Sequence, residues 1–201
     1  MKRQQDLWTP ILNSMTEDLI REFVMAAHGN AARVAELLSA HPELRGVRYV
    51  DFNETALEAA SHMGRRDIAH LLLEAGEPLI LPAALMLGDL EAARGLLDAK
   101  PELIHSAGAH GIPLMFHAAI SGNPVLADLL WERGNRIGLG AAVHAAVAWD
   151  QPEFFGWLQD HEAPLDAPDH EGNTPLQAAQ QRGQTDWVER LQGQSDVGPE
   201  S

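Results

Sequence analysis

Residues 169–191 read DHEGNTPLQAAQQRGQTDWVERL. Thr174 stands where a helix can begin, its hydroxyl placed to accept from a free backbone N–H of the first turn. Pro175 follows at the position where no N–H is needed and a fixed φ suits a helix. Ala178 and Ala179 are small enough to let a neighbouring helix approach closely. Gly183 can adopt the left-handed conformation that ends a helix. Trp187, Val188 and Leu191 then recur on one face of a second short helix. Two helices this short cannot bury their apolar faces alone, so the pattern demands neighbours of the same kind.

Such neighbours occur along the whole chain. Aligned on the residue that ends the first helix of each pair, the turns fall at Gly29, Gly64, Gly88, Gly122, Asp150 and Gly183. Asp is one of the few residues that tolerate the left-handed region. Eight residues after each turn stand Leu37, Leu72, Leu96, Leu130, Leu158 and Leu191. Four residues before each stand Met25, Ala60, Ala84, Ala118, Ala146 and Ala179. Long and short spacings between turns alternate. The first and third units share an ending, LLSAHPELR at 37–45 and LLDAKPELI at 96–104; the second and fourth share another, LLLEAG at 71–76 and LLWERG at 129–134. That is the pattern of a duplicated pair. The short spacings leave too few residues for a full β-turn finger, so complete fingers are expected only around 46–54, 104–112 and 165–173.

The Thr174-Pro175-Leu176 start, the paired alanines and the closing glycine resemble the ankyrin repeat, and the resemblance extends over about 15–192. The motif is intact at 174–176, altered to Thr55-Ala56-Leu57 in the second unit and displaced by one residue as Ile112-Pro113-Leu114 in the fourth. The first, third and fifth units lack it. The family's usual His at the fourth motif position is present as His144, with Glu58 and Gln177 in equivalent slots. The resemblance implies an all-α fold: a solenoid of about six stacked helix pairs, twelve main helices in one array, with short or degenerate fingers. It also implies that His144 hydrogen-bonds neighbouring loop backbone and that Asp169 is the structural Asp of a finger. Residues 1–14 read as a lead-in, with Leu7, Trp8, Ile11 and Leu12 spaced for a short capping helix. Ser14 to Glu17 has capping-box spacing and is expected to begin the first main helix. Residues 193–201 read as a disordered tail.

Composition narrows the function. The 201 residues are 45% hydrophobic and 5% aromatic, enough for a substantial core and suited to close helix packing. With no Cys, there is neither a disulfide framework nor a thiol nucleophile. The opening MKRQQDLW is not that of a secretory signal, and the longest apolar run, Leu79 to Leu87, is interrupted by Pro82 and falls far short of the ~20 residues a membrane helix needs. A cytoplasmic monomer that contacts no membrane is the expectation. The net charge of −15, with Lys2 and Lys100 the only lysines, argues against nucleic acid, whose phosphates require a basic surface. It serves solubility, or attracts a basic partner.

No residue pattern points to catalysis. The chain has 10 histidines but no HExxH, no HxH and no Cys ligand. His105, His110 and His117 are close in sequence, yet His110 falls in a linker and His117 inside a helix. No metal, no cofactor and no enzyme activity are expected. The carboxylate pairs Glu17/Asp18 and Asp169/Glu171 lie at a helix start and in a turn, where they cap backbone groups rather than face each other across a cleft. No serine sits in GxSxG and no glycine-rich nucleotide loop is present.

The informative positions are the two residues before each turn, which in ankyrin-like folds face a concave groove. They supply His28, His62, Met63, Met86, Leu87, Ile120, Ser121, Trp149 and Arg182. The expectation is a non-catalytic module that binds a protein partner along this apolar face. Two alternatives stand beside it: short fingers fold over the face and bury it, or the chain is a small-ligand receptor or enzyme subunit whose face closes into a pocket, with His62 and His117 converging.

Overall fold

In a computed structural model of the chain, the described backbone runs from residue 9 to 195 and the described side chains from 17 to 193. Leu7, Trp8 and the side chains of Ile11, Leu12 and Ser14 therefore lie outside the described residues, as does the expected tail beyond 195; residues 193–195, expected to begin that tail, are instead the end of a helix.

Among the described residues the protein is all-α apart from one small hairpin. Twelve α-helices occur among the described residues, the number the sequence implies: α1 (Thr9–Ala27), α2 (Ala31–Ala40), α3 (Ala56–His62), α4 (Arg66–Glu74), α5 (Leu81–Leu87), α6 (Leu90–Ala99), α7 (Leu114–Ser121), α8 (Pro124–Glu132), α9 (Leu139–Ala148), α10 (Pro152–Asp160), α11 (Pro175–Arg182) and α12 (Thr185–Ser195). Helix α1 continues back through Ser14 to Thr9, so Ser14 is an interior position and not the cap expected of it.

The cap expected at Thr174 does form. Thr174 accepts from the Gln177 N–H while the Gln177 side chain accepts from the Thr174 N–H, a complete capping box, with Pro175 in the first helical position. Thr55 and Glu58 make the same reciprocal pair at the start of α3. Asn30 and Asp89 cap α2 and α6. Of the six aligned turn residues, Gly64, Gly88, Gly122 and Gly183 have positive φ, and Asp150 joins them at φ 55°. Gly29 does not take that conformation.

The register is visible in burial. Ala60, Ala84, Ala118, Ala146 and Ala179 are all fully buried, whereas Met25 at the equivalent place in α1 is 47% exposed. Leu37, Leu72, Leu130, Leu158 and Leu191 are core residues. Leu96 is the exception: it is half-buried, and Leu97 beside it takes the core position.

Contacts divide the chain into two compact units, one made of residues up to 83 together with 108–111, the other of 84–107 and 112 onward. In the first, α1 pairs with α2 and α3 with α4; α1 packs on α3 and α2 on α4. In the second, α7 pairs with α8, α9 with α10 and α11 with α12; α7, α9 and α11 pack in succession, as do α6, α8 and α10. First helices thus pack on first helices and second on second within each unit. Helix α5 crosses the boundary.

Of the three expected fingers, the first is the best formed. Strand β1 (Arg48–Tyr49) pairs antiparallel with β2 (Glu54–Thr55), Arg48 opposite Thr55 and Tyr49 opposite Glu54. The second is reduced to one bridge between Ala107 and Pro113. The third is a turn in which the Asp169 carboxylate accepts from the N–H groups of Glu171 and Asn173. Those two bonds outweigh the upward push of desolvation and hold the Asp169 carboxyl below its usual range.

Candidate functional site: a buried glutamate among three histidines

Strand β2 delivers Glu54 to the inside of the first unit while its neighbour Thr55 caps α3. The Glu54 residue has no exposed surface. A carboxylate there must be met by donors or positive charge. Three histidines from separate segments provide both. His62, the last residue of α3, has Nε2 2.7 Å from Glu54 Oε1. His28, just after α1, has Nε2 3.4 Å from Glu54 Oε2. His110, in the 108–111 turn, has Nε2 3.4 Å from Glu54 Oε1. The rings of His28 and His62 meet edge to face at 5.2 Å, and those of His62 and His110 at 5.7 Å.

Burial alone would raise the Glu54 carboxyl. The hydrogen bond from His62, and after it the field of His62, His28 and His110, outweigh that and hold it below the usual carboxylate range. Glu54 is therefore ionised at neutral pH. Its Oε2 still accepts no hydrogen bond.

His28 Nε2 stands 3.4 Å from that oxygen. The other ring nitrogen of His28, Nδ1, lies 3.1 Å from the Val24 carbonyl oxygen, and because a carbonyl only accepts, Nδ1 carries a proton. His110 is held in the left-handed region at φ 58°, a conformation uncommon outside glycine that histidine adopts more readily than most residues.

The residues singled out in sequence fall into two groups. In the first unit His28 and His62 are brought together on Glu54, and Met63 is 41% exposed beside them in the chain. In the second unit Met86 and Ile120 are fully buried. They are core residues and offer no surface, which corrects the expectation of an unbroken apolar stripe: in α5 and α7 these positions are buried. Leu87, Ser121 and Trp149 are half-buried and Arg182 is exposed. The Ser121 hydroxyl donates to the Ala118 carbonyl at 2.6 Å and accepts from the Asn123 N–H at 3.1 Å, a turn role. Trp149 ends α9 edge-on to Phe116, 5.9 Å between ring centroids. His117 is buried within α7. His144 does what the resemblance implies: Nε2 donates to the Ala167 carbonyl at 2.8 Å.

Glu54 was not among the residues singled out, and His110 was set aside as a linker residue. His28 and His62 sit at nearly equivalent places before their turns, so stacking of α1 on α3 brings them together. That register was readable. The inward turn of Glu54 and the return of the 108–111 turn to the first unit were not. No protein-family model matches the chain.

Proposed function

We propose that the chain is a non-catalytic binding module, an ankyrin-like array of helix pairs whose partner is a protein with an apolar centre and basic edges. The helix pairing within each unit, the alanine and leucine registers, the left-handed turns and the His144 bond to loop backbone all favour the ankyrin-like reading. The observation that carries the binding assignment is the tip of the first finger. Val50 is 84% exposed and Phe52 40% exposed. Single exposed apolar residues are ordinary; here two share one braced tip. The tip is braced by the Arg48–Glu58 ion pair at 2.8 Å, by the Tyr49 hydroxyl donating to Asp51 at 2.7 Å, and by Tyr49 edge-on to Phe52 at 5.1 Å. Binding residues are often carried on loops positioned by a rigid scaffold. The net charge of −15 supplies the attraction for basic edges.

The test is affinity capture from source cells with the wild-type chain, identification of the partner by mass spectrometry, and titration of the purified pair. Val50→Glu with Phe52→Glu should weaken that binding at least about tenfold, as loss of a central apolar anchor does. Ile137→Glu, at a residue 66% exposed in the second unit, should leave it unchanged. Equal binding by wild type and the double variant would exclude the finger as the contact.

A further inference from the structure

We propose that His28, Glu54 and His62, with His110 as fourth ligand, form a binding site for one divalent transition-metal ion of zinc type. This goes beyond the binding-module reading and does not depend on it.

The donor set favours such an ion. One ligand atom from each of His28, Glu54 and His62 lies within 4.8 Å of the others. On bonds of about 2.0–2.1 Å, the ligands of a tetrahedral zinc ion stand ~3.3 Å apart. The His28–Glu54 and His110–Glu54 separations are both 3.4 Å, and the His62–Glu54 separation is 2.7 Å. Three imidazoles and one carboxylate suit zinc and its neighbours; calcium and magnesium take oxygen ligands.

Two further observations point to a cation. Glu54 Oε2 is buried without a hydrogen bond, with His28 Nε2 3.4 Å away. A metal ion between the two atoms would bond both. The His28 ring is already oriented for this, because Nδ1–H is held by the Val24 carbonyl, the arrangement that fixes the tautomer of metal-bound histidines. An entry path exists: the side chains of His110 and His28 are 45% and 27% exposed, while Glu54 is closed off.

His28, Glu54 and His62 supply three ligands. His110, with Nε2 3.4 Å from Glu54 Oε1 but outside that mutually close set, fills the fourth position by a turn of its ring. The ion is then structural and ties the end of α1, the end of α3, β2 and the 108–111 turn together inside the first unit. Metal binding to the folded state alone raises stability by mass action.

The test uses the full chain without a histidine tag, stripped of metal, titrated calorimetrically with zinc chloride alone at neutral pH. One tight ion per chain is expected, with affinity reduced roughly 100-fold or more in His62→Gln and in His28→Gln, and about tenfold in His110→Gln. The melting temperature of the wild type should rise with zinc, fall back with chelator and ignore calcium. Absence of a stoichiometric site, or a site that His28→Gln and His62→Gln leave intact, overturns the proposal. Should those variants misfold by circular dichroism, cobalt titration of the wild type decides: the visible bands of a tetrahedral site support it, and an octahedral spectrum overturns it.

Discussion

Nε2 of His62 lies 2.7 Å from Oε1 of Glu54, a carboxylate with no exposed surface. The bond ties the end of α3 to the strand that precedes it. His62→Ala leaves that oxygen without its shortest donor, and orphaning a buried acceptor costs about 1–3 kcal/mol. Urea unfolding monitored by circular dichroism, in metal-free buffer, checks this. A loss under ~0.5 kcal/mol would mean that His28 and His110 compensate fully.

Glu77 gives a pH dependence of opposite character to Asp169. It is 6% exposed, and burial pushes its carboxyl up; the Gly46 N–H and the Arg45 guanidinium only partly oppose this. The folded chain therefore holds the Glu77 proton more tightly than the unfolded chain does. Its stabilising contribution is complete below the ordinary glutamate value of about 4.3 and is lost as pH rises through the raised folded value. Glu77→Gln should be more stable than wild type at neutral pH, with the difference vanishing toward acid. Denaturation midpoints across that range measure it, and a variant less stable at neutral pH would refute the sign.

The leucine register makes an internal comparison in α6. Leu97 is fully buried whereas Leu96 is half-buried. Leu97→Ala should cost about 2–5 kcal/mol, and Leu96→Ala clearly less. Equal costs by chemical denaturation would contradict the packing of α6 against its neighbours.

Asp150 combines a left-handed backbone at φ 55° with a side chain that accepts from Trp187 Nε1 at 2.9 Å. Asn can do both. Asp150→Asn should stay within about 0.5 kcal/mol of wild type, as substitutions that break no such feature do. Asp150→Ala loses the bond and strains the backbone, together about 2–3 kcal/mol. Thermal unfolding of the pair would show whether the turn tolerates alanine.

In the binding reading, Trp149 keeps accessible surface at the end of α9 and is proposed as the partner anchor of the second unit. Trp149→Ala should weaken binding of the captured partner by ~2 kcal/mol or more, provided the fold is retained. Unchanged affinity would remove Trp149 from the contact.

The helices, their caps and most of their core faces were legible because each is written locally. Thr174 with Gln177 spells a cap, and alanine four residues before each turn spells a close helix contact. Met86 and Ile120 misled because position in a repeat gives a facing direction and not what lies opposite; both are buried. The substitution of Leu97 for Leu96 is a one-residue turn of α6 that spacing alone does not register. The Glu54 cluster was half legible. His28 and His62 align through the stacking of α1 on α3, but the carboxylate they share comes from a finger and the third imidazole from a turn far along the chain.

Anomalous diffraction at the zinc absorption edge, from crystals of the full chain grown with zinc chloride, tests the metal site most directly. One strong peak bonded by His28, Glu54 and His62, with His110 closing the coordination, is the expected result. Fully occupied zinc elsewhere with no peak at this cluster, or no peak at all, would contradict it.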